Sequence, residues 1–142
     1  MKNKYLHIVL FWLILNSNIS LGQNNKDKIQ SAKIAFITQQ LNLTPNEAEK
    51  FWPLYNDEQD KLDALKQKRK EFKKIKENIE LASEKEIENY LSTEIYIKQR
   101  EADIYKEYQE LFRKILPPRK IVKLYEAEEN FKRELIKQLK EK

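Results

Sequence analysis

Glycine stops at residue 22. Beyond Gly22 the chain runs to Lys142 without another, and its four prolines stand at 45, 53, 117 and 118. Tight β-hairpins draw on Asn-Gly, Asp-Gly or Gly-Gly pairs to reach positive φ. A chain without glycine has few ways to fold a strand back on itself, and few stretches here alternate apolar and polar residues with period two. Aliphatic and aromatic residues recur instead at steps of three, four and seven, the spacing of helix faces. Charged residues are 36% of the chain, a content that disorder and long surface helices share. The regular apolar spacing decides for helices, because disorder does not require it. The expectation is an all-α fold, with one helical domain over residues 23–142.

The N-terminal segment reads differently from the rest. Lys2 and Lys4 precede an apolar run from Leu6 to Leu15, then polar Asn16 to Asn18, then Ser20-Leu21-Gly22 before Gln23. A charged start, a short apolar stretch and small residues at the end are the pattern of a cleaved secretory signal peptide over residues 1–22. The apolar run is about ten residues, whereas a spanning helix needs about 20. No cysteine follows it, so neither a lipid anchor on cysteine nor a disulfide is available. The expected product is soluble, exported and periplasmic. Cleavage after Gly22 removes His7, Gly22 and Met1, the single copies of their types. The remaining chain then has no His, Cys, Gly or Met. That excludes most nucleophile–base pairs, soft-metal sites and glycine-rich phosphate loops. The loss of two lysines and no acid lowers the formal charge from +5 to +3.

Four helices are legible from their punctuation. The first begins near Asn25 and reaches about Leu41, with Ile29, Ala32, Phe36, Ile37 and Leu41 on one stripe. Leu43-Thr44-Pro45-Asn46-Glu47-Ala48 then reads as a complete helix start. Thr44 is the N-cap, whose hydroxyl can accept from the amide of Glu47, and Glu47 can accept from the amide of Thr44. Pro45 sits where its missing amide costs nothing, and Leu43 can staple onto Ala48. Such caps contribute roughly 1–2 kcal/mol. The second helix runs to about Leu81, with Ala48, Phe51, Tyr55, Leu62, Leu65, Phe72 and Ile79 near a heptad seam. A kink is expected at Pro53, whose ring clashes with the carbonyl of Glu49. Ser83 and Glu86 form a second capping box. The third helix runs from there to about Leu116, with Tyr90, Ile97, Ile104 and Leu111 seven apart. Ile87, Leu91, Ile95, Ala102, Tyr105, Tyr108, Phe112 and Ile115 widen that stripe beyond what a coiled-coil seam needs. Pro117-Pro118 ends it, and Pro118 opens a fourth helix carrying Ile121, Leu124, Tyr125, Phe131, Leu135 and Leu139.

A second helix of that extent is about 55 Å long, longer than a compact domain of this size is wide. The two long helices are therefore expected to form an extended antiparallel hairpin flanked by the shorter ones. A thin hairpin cannot bury wide apolar faces alone, so a second copy is expected, and a symmetric homodimer is the simplest form.

Chemistry is hard to find in the residues. Serines have no histidine base after cleavage. Carboxylates such as Glu126, Glu128 and Glu129 read as solvated helix surface, and nothing resembles a calcium loop. No enzyme, cofactor, catalytic residue, metal or small-molecule substrate is expected. The basic run Lys66, Lys68, Arg69, Lys70, Lys73, Lys74 and Lys76 invites a nucleic-acid reading. Export argues against that, as do Glu77, Glu80, Glu84, Glu86 and Glu88 directly after it, so no nucleic acid is expected. The run reads as a solvated face near a negative helix C-terminus, or as a positive patch that steers acidic or unfolded partners. Trp52 and Tyr96 fall off the main stripes and mark either a binding surface or packing against a terminal helix.

The stretch Leu43 to Asn56 (LTPNEAEKFWPLYN) resembles the LTxxQ family of exported helical proteins, which includes the Spy and CpxP proteins. It looks most like a branch often labelled as sensors of extracytoplasmic-function (ECF-type) sigma factors. The family carries a second motif copy before its last helix, where this chain has Leu116-Pro117-Pro118-Arg119-Lys120. Glu47 stands for the family's Gln in the first copy and still closes a capping box. Pro117 and Lys120 stand for Thr and Gln in the second and cannot cap in that way. The resemblance implies a cradle-shaped antiparallel dimer of helical hairpins. It implies either an ATP-independent chaperone for unfolded clients or a CpxP-like accessory that binds a membrane stress sensor or anti-sigma factor. The zinc-handling relatives use His and Cys, so that role does not carry over. In this setting Leu43, Thr44, Pro45, Glu47, Leu116, Pro117 and Pro118 are helix-capping residues. The basic run with Trp52 and Tyr96 is the candidate partner surface.

Overall fold

A computed structural model describes residues 23–140; the signal-peptide reading of residues 1–22 lies outside them. The described residues form four α-helices: α1 Gln23–Leu41, α2 Pro45–Glu77, α3 Glu84–Arg113 and α4 Pro118–Lys140, with a single 3₁₀ turn at Ile79–Leu81. No strand occurs among them. No helix among them is long and apolar enough to cross a membrane. The helices group into two compact units, one of α1 with α4 and one of α2 with α3.

In the first unit α1 packs on α4. Ala32, Ile37 and Leu41 are buried on α1, and Ile121, Leu124, Ala127 and Phe131 on α4. Phe36 and Phe131 meet at a tilt of 49°, with ring centroids 5.8 Å apart. The end of α1 shows how the chain manages without glycine. Asn42 takes φ 48°, while its amide donates to the Gln39 carbonyl and that of Leu43 to the Thr38 carbonyl, both at 3.1 Å. This is a Schellman closure with asparagine in the left-handed position, the residue that best replaces glycine there. Lys120 Nζ donates to the Asn42 carbonyl at 2.8 Å. Lys120 thus ties α4 to the negative end of α1.

The second unit is an antiparallel hairpin of α2 and α3. α2 begins at Pro45, directly after Thr44, and runs unbroken through Pro53. At 33 residues it is about 50 Å long. It ends four residues before the expected Leu81. The Asn78 side chain donates to the Lys74 carbonyl at 3.0 Å, and the backbone tightens into the 3₁₀ turn with Leu81 N to Asn78 O at 3.0 Å. α3 starts after Ser83 with both halves of the capping box made: Ser83 N donates to Glu86 Oε2 at 2.8 Å, and Glu86 N donates to Ser83 Oγ at 3.4 Å. α3 stops at Arg113 rather than Leu116. Leu116 is buried outside the helix, its amide donating to the Phe112 carbonyl at 2.7 Å. The residue before a proline avoids helical backbone, and Pro117 and Pro118 follow directly.

Candidate functional site: the distal hairpin

Along α2 the seam toward α3 steps by four and three through Phe51, Tyr55, Glu58, Leu62, Leu65, Arg69, Phe72 and Lys76. The matching seam on α3 is Tyr90, Glu94, Ile97, Glu101, Ile104 and Tyr108. The part nearest the start of α2 is closed and aromatic. Phe51 lies 5.2 Å from Phe112 and 5.4 Å from Tyr55, centroid to centroid, and Phe51, Tyr55, Tyr108 and Phe112 are all fully buried. The Tyr108 hydroxyl donates to the Asp57 carboxylate. Lys61 lies 3.5 Å from Asp57, 3.4 Å from Glu107 and 4.7 Å above the Tyr108 ring. The hydrogen bond from Tyr108 holds the Asp57 carboxyl below its ordinary range, with Lys61 adding to it. Burial, followed by the bond to Asp57, pushes the Tyr108 hydroxyl up. Glu58 is the one buried charged residue among those described, and no buried side-chain nitrogen or oxygen among them lacks a partner.

Arg69 marks the end of the closed seam. Its guanidinium donates through both Nη atoms to Glu101, at 3.1 and 3.0 Å, and its Nε stands 4.0 Å from Glu94. The hydrogen bonds to Glu101 raise the guanidinium pKa above its usual value. From Lys66 through Tyr96 no side chain is buried. Phe72, Ile75, Ile87 and Tyr90 are only half-covered there, and Ile79 is exposed. A groove of about 610 Å³ opens in this stretch, lined by Lys66, Arg69, Lys70, Lys73, Lys76, Glu77, Tyr90 and Glu94.

The structure thus gathers most of the basic run on one groove and sorts its members. Lys66 pairs with Asp63 at 2.8 Å and Lys73 with Glu77 at 3.1 Å. Lys68 lies 4.5 Å over the Tyr96 ring, which brings Tyr96 to the basic helix. Arg69 is engaged in the seam and is not a free surface cation. Lys70, Lys74 and Lys76 make no ion pair with any described residue. Trp52 is not part of this surface. It packs edge-on against Phe51 and Tyr55, at 5.0 and 5.4 Å, about 20 Å along the helix from Lys66. Leu43, Thr44, Pro45, Glu47, Leu116, Pro117 and Pro118 lie at helix junctions, and none of them lines the groove.

A second surface lies one residue on from the α3 seam. Leu91, Ile95, Lys98, Ala102, Tyr105 and Gln109 repeat its four-three steps on the outside of the hairpin. Leu91 is 59%, Ile95 56% and Tyr105 47% exposed. Of the residues that widened the apolar stripe in the sequence, Leu91, Ile95, Ala102 and Tyr105 therefore fall on this outer stripe, whereas Tyr108 and Phe112 are buried in the hairpin. No group of three or more His, Cys, Asp or Glu side chains among the described residues is placed to hold a metal. In comparison with family models, curated proteins and solved structures, the chain matches none.

Proposed function

We propose that the protein is an exported, ATP-independent chaperone that holds unfolded clients on the outer stripe of α3. The observation that carries this reading is the regular exposure of Leu91, Ile95 and Tyr105 along one helix face. Exposed apolar side chains that recur in register on a charged helix mark an interaction surface. An exposed stripe of this kind suits clients that share no shape. The cations of α2 add a positive field that draws acidic chains in. The resemblance of Leu43 to Asn56 to the LTxxQ family, whose Spy-like members are such chaperones, is compatible with the same reading.

The test is aggregation of a chemically denatured client diluted into buffer with the purified protein and no ATP. Suppression is expected, and the paired substitution Leu91→Ser with Ile95→Ser is expected to abolish most of it without loss of helix content. No suppression across several clients would refute the chaperone. The CpxP-like accessory, which needs one saturable membrane partner, would then take its place.

A further inference from the structure

The outer stripe leaves the groove beyond Arg69 without a role. We propose that it receives the hairpin tip of a second copy, residues 78–84 of each protomer seating in the other's groove. Three observations carry this. The groove is incomplete within one chain: it is the seam between α2 and α3, yet none of its side chains is buried. Its walls are largely lysine stems with the Tyr90 ring, an apolar surface rimmed by charge. Of the rim cations, Lys70 and Lys76 have no carboxylate partner among the described residues.

The tip is the complement. Leu81 projects from the 3₁₀ turn with 87% of its surface exposed, and Ile79 is exposed beside it. Glu80 and Glu84 flank Leu81 and make no ion pair with any described residue. Two unpaired cations thus rim an apolar groove, and two unpaired carboxylates flank an apolar knob. Lys70 and Lys76 are about 9 Å apart along the helix axis, close to the reach of two carboxylates four residues apart. Within one chain no residue of 78–84 lines the groove. Groove and tip are neighbours on one hairpin, so two antiparallel copies engage both junctions at once and the assembly closes as a dimer.

Charge reversal tests this without touching a buried residue. The pair Lys70→Glu with Lys76→Glu makes groove and tip both negative. Glu80→Lys with Glu84→Lys makes both positive. Sedimentation equilibrium at low salt is expected to show the wild type dimerising and each variant alone weakened by about tenfold or more, since like charges then face each other. An equimolar mixture of the two variants is expected to recover wild-type affinity, because each groove then meets an opposite tip. Leu81→Asp is expected to weaken the dimer on its own, and circular dichroism checks that every variant keeps its helix content. A wild type that stays monomeric at all concentrations overturns the proposal. So does a dimer indifferent to all three changes, or no recovery on mixing. Binding of the tip-reversed variant's groove to an acidic peptide or to anionic vesicles, in a protein that never dimerises, would assign the groove to that occupant instead. The chaperone assay is separate: a dimer that suppresses no aggregation leaves this contact standing and that reading refuted.

Discussion

Arg69 is expected to hold the hairpin closed at the point where burial ends, and its pairing with Glu101 can be measured. The two hydrogen bonds of 3.1 and 3.0 Å form the fork-to-fork geometry that makes arginine pairs stronger than point contacts. The side chains are 38% and 28% exposed, so solvent screens the pair, and its coupling belongs near the top of the range for exposed pairs, about 1 kcal/mol. Arg69→Met keeps the packing stem and removes the fork. It also leaves Glu94 and Glu101 un-neutralised about 10 Å apart on the same seam, so its total cost is about 1.5–2 kcal/mol. Glu101→Gln alone costs less, about 0.5–1 kcal/mol, because Arg69 still faces Glu94 at 4.0 Å. Urea unfolding of wild type, both single variants and the double variant closes the cycle. The coupling is expected to shrink in 1 M salt, where the Debye length is about 3 Å. Hydrogen exchange adds a local readout. Arg69→Met is expected to speed exchange across residues 70–93 and leave 51–62 unchanged, since the distal stretch has no buried side chain to hold it. A coupling within the ~0.3 kcal/mol error of additivity refutes the account.

Three further outcomes follow from the caps and the titrating groups. Ser83→Ala removes one half of the α3 capping box and is expected to lower stability by about 1 kcal/mol, read from the urea midpoint. Asn42→Gly relieves a left-handed φ at a β-carbon and is expected to raise stability by about 0.5–1 kcal/mol, whereas Asn42→Ala lowers it by about 1 kcal/mol. Asp57 and Glu86 both have folded pKa values below their ordinary ones, through bonds from Tyr108 and Ser83 respectively. Their contribution is present above the unfolded carboxylate range and is lost as pH falls through the folded values, so unfolding should ease below about pH 4 and Asp57→Asn should flatten that limb. Tyr108 and Lys61 are raised, which places their loss of stabilisation on the alkaline side, above about pH 10.

The helix starts were legible because they depend on local chemistry. Pro45, Ser83 and Pro118 announce them through caps and a fixed φ, and the structure starts α2, α3 and α4 at Pro45, Glu84 and Pro118. The helix ends were less legible. Apolar spacing continues through Ile79 and through Ile115 and Leu116, so a stripe alone carries the helices too far. The actual stops come from the Asn78 side chain competing for a backbone carbonyl and from the backbone restriction before Pro117. The seam itself was half-visible. A search for apolar residues at three, four and seven finds Tyr55 and Leu62 but leaves gaps where Glu58, Arg69 and Lys76 belong. On a chain with 36% charged residues, a charge at a seam position looks the same as one on the surface.

Those gaps hold the information about function. A hairpin with apolar residues at every seam position would close to its tip and present no groove. Here the seam is aromatic near the start of α2, ionic at Arg69 and left open beyond it. An ion pair at that position costs stability relative to a well-packed apolar pair, but it fixes register, since slipping α3 by one residue would trade Glu101 for Arg100 or Ala102 against the guanidinium. Register matters doubly on α3, where the seam and the outer stripe differ by one residue. With Glu101 held at Arg69, Ile97, Ile104 and Tyr108 face inward and Leu91, Ile95 and Tyr105 stay outside. The same pairing that leaves the distal groove open therefore also decides which apolar residues of α3 remain available to a partner.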